Sequence, residues 1–210
     1  MKLHYFDFYG RGEPIRMLLT HAKIPFEDVR LQMADLPKYR EEGKTEFGKL
    51  PVVELDGKFY SETNAILRYF GKKHGYYPAE AGPAWRVDSI CDSLQDVMSV
   101  FVASHFAPTE EEKEAKRKFL FTEIVPKWFG AIDKILADNV TQNHLVGDKM
   151  TVADFVVGAF LHSFFLNEGN PFHEKLKELM EPHANLKKFA EHFTSEMAEH
   201  LASRPKPRPF

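Results

Sequence analysis

Apolar and polar residues alternate in short runs over the first 75 positions of the chain and then recur at helical spacing. A period of two predicts half-buried strands, and a period near 3.6 predicts amphipathic helices. The early pattern predicts strands at residues 3–8, 26–31 and 52–60, the last folded into a hairpin, and helices at 13–22, 34–42 and 63–74. Asp56-Gly57 marks the hairpin turn. The predicted order is β-α-β-α-β-β-α.

This order limits the topology. A strand, helix and strand in succession need a crossover and give a parallel pair, whereas a hairpin gives an antiparallel pair. We therefore expect a small four-stranded mixed sheet with helices on its faces.

The pattern changes at residues 76–83, which contain two prolines and a glycine and are typical of a linker. Long helical patterns follow at about 84–106, 110–137 and 151–167 and after Pro171, and Pro126 is expected to bend the second of them. Thr151-Val152-Ala153-Asp154 matches a helix-capping box in its acidic variant. The predicted division is a first domain at 1–75, a linker at 76–82 and an all-helical domain at 83–210.

Composition excludes several classes of protein. The formal net charge of -3 gives no reason to expect nucleic acid or an anionic membrane as the main partner. Cys91 is the single cysteine, so no intrachain disulfide can form. No apolar run approaches the roughly 20 residues of a membrane span, and the first residues lack a secretory leader pattern. A cytoplasmic location is the expectation.

Standard cofactor motifs are missing. Gly10-Arg11-Gly12 lacks the third glycine of a dinucleotide fingerprint, because Ile15 stands in its place, and the chain has no phosphate loop. The ten histidines show no paired metal-ligand spacing. No nucleophile-elbow motif supports a serine hydrolase. We expect neither a metal nor a nucleotide cofactor.

A group of polar residues lies instead at the ends of the predicted sheet elements. Tyr5, on the first strand, faces a glycine-rich helix start, although taken alone it favours ordinary strand packing, because strands are enriched in tyrosine. Leu50-Pro51 enters the third strand, could be cis, and would present the Leu50 backbone to an extended peptide. Glu62-Thr63 opens a helix whose N-terminus attracts a carboxylate. Together these residues indicate a site for a small peptide with an anionic end, whereas each alone is also explained as a cap or a strand start.

Ordered motifs over nearly the whole chain resemble cytosolic glutathione transferases. They are Tyr5-Phe6, Gly10 to Arg16, Phe47 to Pro51, Glu62 to Tyr69 and, in the second half, Leu145 to Asp154. The tyrosine and the segment from Asp88 to Asp96 resemble the sigma class, with its invertebrate members and the haematopoietic prostaglandin D synthases.

The resemblance implies a thioredoxin-like first domain, an all-helical second domain, a homodimer and glutathione as co-substrate. It implies that Tyr5 hydrogen-bonds the glutathione sulfur and that Arg11 supports the thiolate. The other implied glutathione-binding residues are Arg40, Lys49, Leu50, Pro51, Glu62, Thr63 and, from the opposite subunit, Asp96. Leu36 stands where many sigma members carry a tryptophan that donates to the glycine end, so that contact is lost.

The resemblance also implies an apolar electrophile site between the domains. Its expected lining is Phe8, Tyr9, Met98, Val102, Val156 and Phe160, with the tail near Phe210 as a cover, and core packing is the alternative for each. Ala103 stands where prostaglandin-isomerising members carry an aromatic residue. Phe47 is expected either to insert into a neighbouring subunit or to pack within its own domain.

Three functions follow as hypotheses. The first is conjugation of glutathione to small hydrophobic electrophiles in detoxification, and the second is glutathione-dependent prostaglandin D synthesis. The third is a non-catalytic role as a ligand-binding or crystallin-like structural protein, because a fold does not determine a function.

Overall fold

The computed structural model describes residues 1–205 and 208 of the chain. Its N-terminal part is a four-stranded sheet with the order β2-β1-β3-β4. The strands are β1 (Lys2–Phe6), β2 (Glu27–Leu31), β3 (Val52–Leu55) and β4 (Lys58–Ser61). β1 pairs parallel with β2 and antiparallel with β3, and β3 pairs antiparallel with β4. The predicted mixed sheet is confirmed.

Three helices accompany the sheet: α1 (Glu13–His21), α2 (Leu36–Glu41) and α3 (Thr63–His74). α3 has the predicted bounds and ends at Gly75, whose φ of 83° is the left-handed conformation of a helix stop. α2 is shorter than expected because Met33–Asp35 forms a 3-10 turn before it. The β-α-β-α-β-β-α order is confirmed.

After β4 the remaining elements of the described residues are helices, and no strand follows β4 in them. The helices are α4 (Ala81–His105), α5 (Glu110–Phe119), α6 (Val125–Asp138), α7 (Val152–Phe160), α8 (His173–Glu178), α9 (Ala184–Glu196) and α10 (Ala198–Ser203). None of these described helices combines the length and the apolar character needed to cross a bilayer. The predicted fold class, a mixed-sheet domain followed by an all-α domain, is confirmed.

Prolines explain two differences from the expected helices. α4 begins three residues earlier than expected because Pro83 occupies its first turn, where a missing N–H removes no intrahelical bond. The long helix expected at 110–137 is interrupted by a π-helical turn at Leu120–Ile124, just before Pro126. Proline cannot donate to the preceding turn, and the change of hydrogen-bond pattern occurs beside it.

α1 joins the two domains by packing against both α3 and α7. The main core runs continuously from Leu3 on β1 to Val156 on α7, and the domains therefore share one apolar interior. A smaller cluster contains Tyr5, Leu50 and, from α2, Leu36. These contacts place the end of β1 and the start of α1 beside the helical domain.

Asp154 holds the start of α7 from a fully buried position. Its carboxylate accepts hydrogen bonds from the N–H of Leu145 at 2.8 Å and from the N–H and hydroxyl of Thr151, both at 2.7 Å. The predicted capping box is confirmed. Asp154 thus ties α7 to the loop that precedes it.

We predict that Asp154→Ala lowers the free energy of unfolding by about 2–4 kcal/mol, because two buried backbone donors lose their acceptor. Urea unfolding monitored by circular dichroism measures the change. Asp148→Ala, at an exposed acid in the same loop, is the control. A loss below about 1 kcal/mol for Asp154→Ala, within the range of a surface change, contradicts the proposed role.

Candidate functional site

Tyr5 brings a protonated phenol to the start of α1. Its oxygen accepts a hydrogen bond from the backbone N–H of Arg11 at 2.9 Å, and residues 1–205 and 208 provide no acceptor for its own proton. Burial raises the pKa of Tyr5, while the Arg11 N–H and the charges of Arg11 and Arg16 act in the opposite direction. The hydroxyl therefore stays protonated at neutral pH and can donate one hydrogen bond to a ligand.

Two glycines make room for this ring. A Cβ on Gly12 would lie 2.6 Å from Cδ1 of Tyr5, and a Cβ on Gly10 would lie 2.8 Å from the Tyr5 hydroxyl. Gly10 also has a φ of 41°, which side chains disfavour. The glycines that the sequence placed before α1 are thus required by the approach of the tyrosine.

Arg11 connects Tyr5 with the start of α3. Its carbonyl accepts a hydrogen bond from the Thr63 hydroxyl at 3.3 Å. Arg11 lines the cleft between the domains, and its guanidinium has no acidic partner among the described residues. The N–H groups in the first turn of α3 have no intrahelical acceptors. Glu62, exposed before this turn, has a φ of 68°, an uncommon value for a residue with a side chain.

Leu50 offers the backbone of an extended segment. The Leu50-Pro51 peptide bond is cis, one of the two states that the sequence allowed. The N–H and C=O of Leu50 make no hydrogen bond within the described residues, which leaves both able to pair with another peptide. Arg40 donates to the carbonyl of Gly48 at 2.8 Å, and Lys49 is exposed next to it. Two cations therefore flank the approach to Leu50.

Three of the six residues expected in the electrophile site line the cleft between the domains: Met98, Val156 and Phe160. The cleft also contains residues that sequence reasoning missed, namely Gly10, Pro14, Asn64, Leu94, Gln95, Ala159 and Phe164. Leu94 and Phe164 lie four positions from predicted residues on the same helical faces. Extending the helical spacing by one turn from the predicted residues would have identified both of them from the sequence.

The structure does not bring the other three expected residues into the cleft lining. Tyr9 is buried, its hydroxyl donates to the Pro205 carbonyl at 2.8 Å, and the Arg204 guanidinium lies 4.1 Å from its ring centroid. Phe8 stacks on the Phe6 ring with centroids 5.5 Å apart. Val102 is exposed on α4. The tail near Phe210, expected as a cover, lies outside the described residues.

A buried group of charges behind Tyr5 was not found from the sequence. Glu13 is fully buried and accepts from His200 at 2.9 Å and from Arg16 at 3.3 Å. Burial alone would raise the pKa of Glu13, and the bond and charge of His200, with the charges of Arg16 and Arg204, lower it to about 2. Arg16 is only three positions from Glu13, but His200 and Arg204 come from the far end of the chain, and local spacing gives no sign of those two.

The sequence analysis also singled out four residues outside the sets above: Asp96, Ala103, Leu36 and Phe47. Asp96 and Ala103 are exposed on α4, and Asp96 has no ion-pair partner in the described chain. Leu36 packs against the small cluster that contains Tyr5 and Leu50, where a leucine supplies packing but no donor. Phe47 is 59% exposed. In residues 1–205 and 208, no group of three His, Cys, Asp or Glu side chains is arranged to hold a metal ion.

Comparisons with known proteins agree on one family. The family models for the glutathione S-transferase N-terminal and C-terminal domains match residues 1–72 and 95–204. Glutathione S-transferase 1 of Ascaris suum is 32% identical, covering 98% of this chain and 97% of its own.

Solved structures of the same shape include prostaglandin synthase D of Nilaparvata lugens, with a TM-score of 0.84 and 25% identity over 98% of each chain. The glutathione S-transferase of Ascaris lumbricoides has a TM-score of 0.79 and 30% identity over 100% of this chain and 98% of that one. The chain belongs to the glutathione S-transferase family. It is an enzyme with a thioredoxin-like first domain, and its co-substrate is glutathione.

We predict that Gly12→Ala lowers kcat/KM for conjugation at least tenfold, because the new methyl group displaces the Tyr5 ring and hence its hydroxyl. Initial rates with glutathione and 1-chloro-2,4-dinitrobenzene measure the effect. Gly82→Ala, where a Cβ meets no atom within 4 Å, is the matched control. If a folded Gly12→Ala variant keeps the wild-type rate, the close packing of Tyr5 is not needed for catalysis.

Proposed function

We propose that this transferase conjugates the thiolate of glutathione to small hydrophobic electrophiles, as a cytoplasmic, homodimeric detoxification enzyme of the sigma class. The first domain, residues 1–75, would bind glutathione, the linker would span 76–82, and residues 83–210 would supply the apolar side of the cleft. The observation that carries the proposal is the Tyr5 hydroxyl, which is protonated, bonded to the Arg11 N–H and without an acceptor among the described residues.

Glutathione would lie along the edge of the first domain as an extended peptide. The free backbone groups of Leu50, next to Pro51, support pairing with its cysteinyl residue. The first turn of α3 at Glu62-Thr63 supports binding of the γ-glutamyl carboxylate, because helix N-termini attract anions. Arg40 and Lys49, close to the same loop, would bind the glycine carboxylate in place of the donor that Leu36 lacks.

The chemistry requires ionisation of the glutathione thiol. A free cysteine thiol has a pKa of about 8.5, and only its thiolate is nucleophilic. Lowering that pKa by about two units requires roughly 2.7 kcal/mol of preferential stabilisation of the anion. A hydrogen bond from Tyr5 to the sulfur, with the unpaired Arg11 charge nearby, is an interaction of that size. The thiolate would then attack the electrophile and displace its leaving group.

The far side of the cleft supports an apolar second substrate. Met98, Val156 and Phe160 face the region of Arg11 from the helical domain. Pockets for small molecules combine such apolar walls with a few polar groups. The sigma class is supported by the tyrosine and by the similarity to prostaglandin synthase D of Nilaparvata lugens. Cys91, the single cysteine, is buried as a free thiol, which is compatible with a reducing compartment.

That similarity also favours a second candidate, glutathione-dependent isomerisation of a prostaglandin endoperoxide. Ala103 argues against it, because the resemblance leads us to expect an aromatic residue at this position. A non-catalytic ligand-binding or crystallin-like role remains the third hypothesis, and the intact Tyr5 and Arg11 pair argues against it. Product analysis with a prostaglandin endoperoxide and with 1-chloro-2,4-dinitrobenzene separates the three.

We predict that Tyr5→Phe lowers kcat/KM at pH 6.5 by about 10–100-fold, because loss of the donor raises the pKa of the bound thiol towards its free value. The difference should narrow above about pH 9, where the thiol ionises unaided. A pH profile of conjugation rates for both proteins measures it. Tyr69→Phe, at a phenol outside the cleft, is the control. Equal rates at every pH would remove the proposed role of Tyr5.

We predict that Asp96→Ala weakens glutathione binding about three- to tenfold, because Asp96 of the partner subunit would reach the γ-glutamyl amine in a dimer. Calorimetric titration measures the affinity, and sedimentation equilibrium measures the oligomeric state. Asp148→Ala, at another exposed acid, should bind like the wild type. Unchanged affinity in an Asp96→Ala dimer rules out a shared site.

A further inference from the structure

We propose that Arg204, in the segment after α10, is a positioning residue for conjugation, because it holds the aromatic wall of the interdomain cleft in place. We use the name aromatic wall for Phe160, at the end of α7, and Phe164, in the π-helical turn Leu161–Phe165 that follows α7. The inference rests on the proposed function, since it assigns this wall to the apolar part of the second substrate.

The π-helical turn leaves one backbone carbonyl in need of a donor. The N–H of Leu166 bonds to the carbonyl of Leu161 at 2.9 Å, five positions back, and not to that of His162, four positions back. Buried carbonyls require a hydrogen-bond partner. Arg204 provides it, since its Nη1 and Nη2 donate to the His162 carbonyl at 3.3 and 3.4 Å.

The next two carbonyls of the turn are bonded by nearby side chains. Asn167 donates through Nδ2 to the Ser163 carbonyl at 3.0 Å, and Asn170 donates through Nδ2 to the Phe164 carbonyl at 3.1 Å. Both asparagines belong to the loop that follows the turn. Arg204 therefore differs from them, because it reaches the turn from a distant part of the chain.

The same guanidinium also contacts the first domain. Only 9% of the Arg204 side chain is exposed, its Nη1 lies 3.5 Å from Oε1 of Glu13, and its centre lies 4.1 Å from the centroid of the Tyr9 ring. Tyr9 and Glu13 lie on the two sides of the turn Gly10–Gly12, which carries Arg11. One planar cation thus connects the aromatic wall with the glutathione side of the cleft.

Arg204 is not among the residues that line the cleft, so it would act on a ligand through the wall. The two rings of the wall have centroids 5.3 Å apart, and Phe160 also packs on Trp128 at 5.5 Å. A displaced wall would contact less of an apolar substrate. Each methylene group that loses such contact costs about fourfold in affinity. We therefore infer that Arg204 determines how strongly the cleft binds an apolar group.

Calorimetric titration of the full chain with S-methylglutathione and S-hexylglutathione tests the proposal. The two compounds share the peptide and differ in the alkyl chain that would lie against the wall, so the ratio of their Kd values measures the contribution of the wall. We expect the wild type to bind S-hexylglutathione at least about tenfold more tightly. Arg204→Met should lower this ratio at least about fivefold and leave the Kd for S-methylglutathione within about twofold.

The two compounds also separate this inference from the function on which it rests. A wild type that binds neither compound would overturn both. Binding of S-methylglutathione by the wild type, with an equal ratio of Kd values in wild type and Arg204→Met, would overturn the role of Arg204 alone.

A conservative variant and a control exclude simple destabilisation. Arg204→Lys keeps the charge beside Glu13, but one ammonium group cannot replace a planar guanidinium, and we expect the ratio to fall at least about threefold. Asp133→Ala, the control, removes the acceptor for the N–H groups of Asn185 and Leu186 at the start of α9, outside the cleft. It should keep the wild-type ratio. An unchanged ratio in Arg204→Lys, or an equal fall in Asp133→Ala, would overturn the proposal.

Steady-state kinetics provide the second readout. Arg204→Met should raise the KM for 1-chloro-2,4-dinitrobenzene at least about threefold while kcat stays within about twofold, because Tyr5 and Arg11 keep their places. Circular dichroism verifies that each variant is folded. A lower kcat with an unchanged KM would assign Arg204 to the turn that carries Arg11 and overturn its role at the aromatic wall.

Discussion

The site depends on a buried carboxylate, that of Glu13, and on the arginine one helical turn after it. Arg16 donates through Nη1 to the carbonyls of Phe8 and Tyr9 at 3.1 and 3.2 Å, and through Nε to Asp28 on β2. A buried guanidinium needs such partners because an unpaired charge is expensive to bury. This arrangement fixes the turn between β1 and α1, and the Arg11 N–H can therefore meet the Tyr5 hydroxyl.

The same carboxylate also anchors the end of the chain. His200 on α10 and Arg204 after it both reach Glu13, and the Arg204 guanidinium covers the Tyr9 ring. Further along, Arg208 pairs with Asp7 at 2.7 Å. The helical domain is thus joined to the turn that carries the reactive groups by charge as well as by the apolar contact of α1 with α7. Because ionic and apolar contacts both hold the helical domain to this turn, we expect the width of the cleft between the domains to vary little.

The polar residues of the site fall into two groups: some are buried and hydrogen-bonded, and others are charged and exposed. Tyr5 and Thr63 are buried and bonded, whereas Arg11, Lys49 and Glu62 keep their charges towards solvent or the cleft. The buried, hydrogen-bonded side chains are held in one orientation by the fold before a ligand binds. The exposed charged side chains, which would contact a charged ligand, stay hydrated until it binds.

Much of this protein could be predicted from local sequence. The bounds of α3, the Asp56-Gly57 hairpin and the Asp154 cap were found because each depends on residues within a few positions of one another. Tyr5 and the segments at Arg11, Leu50-Pro51 and Glu62-Thr63 were found because they occur in an order that resembles one family. Met98, Val156 and Phe160 followed from the same resemblance, and the structure places them in the cleft.

Tertiary structure alone decided the rest. Tyr9 was expected in the cleft, but it is buried because Pro205 and Arg204, almost two hundred positions later, pack over it. The contacts of Glu13 with His200 and Arg204 likewise depend on which surfaces meet after folding. By itself the sequence determined the elements, their order and the family, because those follow from short-range patterns. Which side chains became buried, paired or free was decided by contacts between distant segments, which no local pattern records.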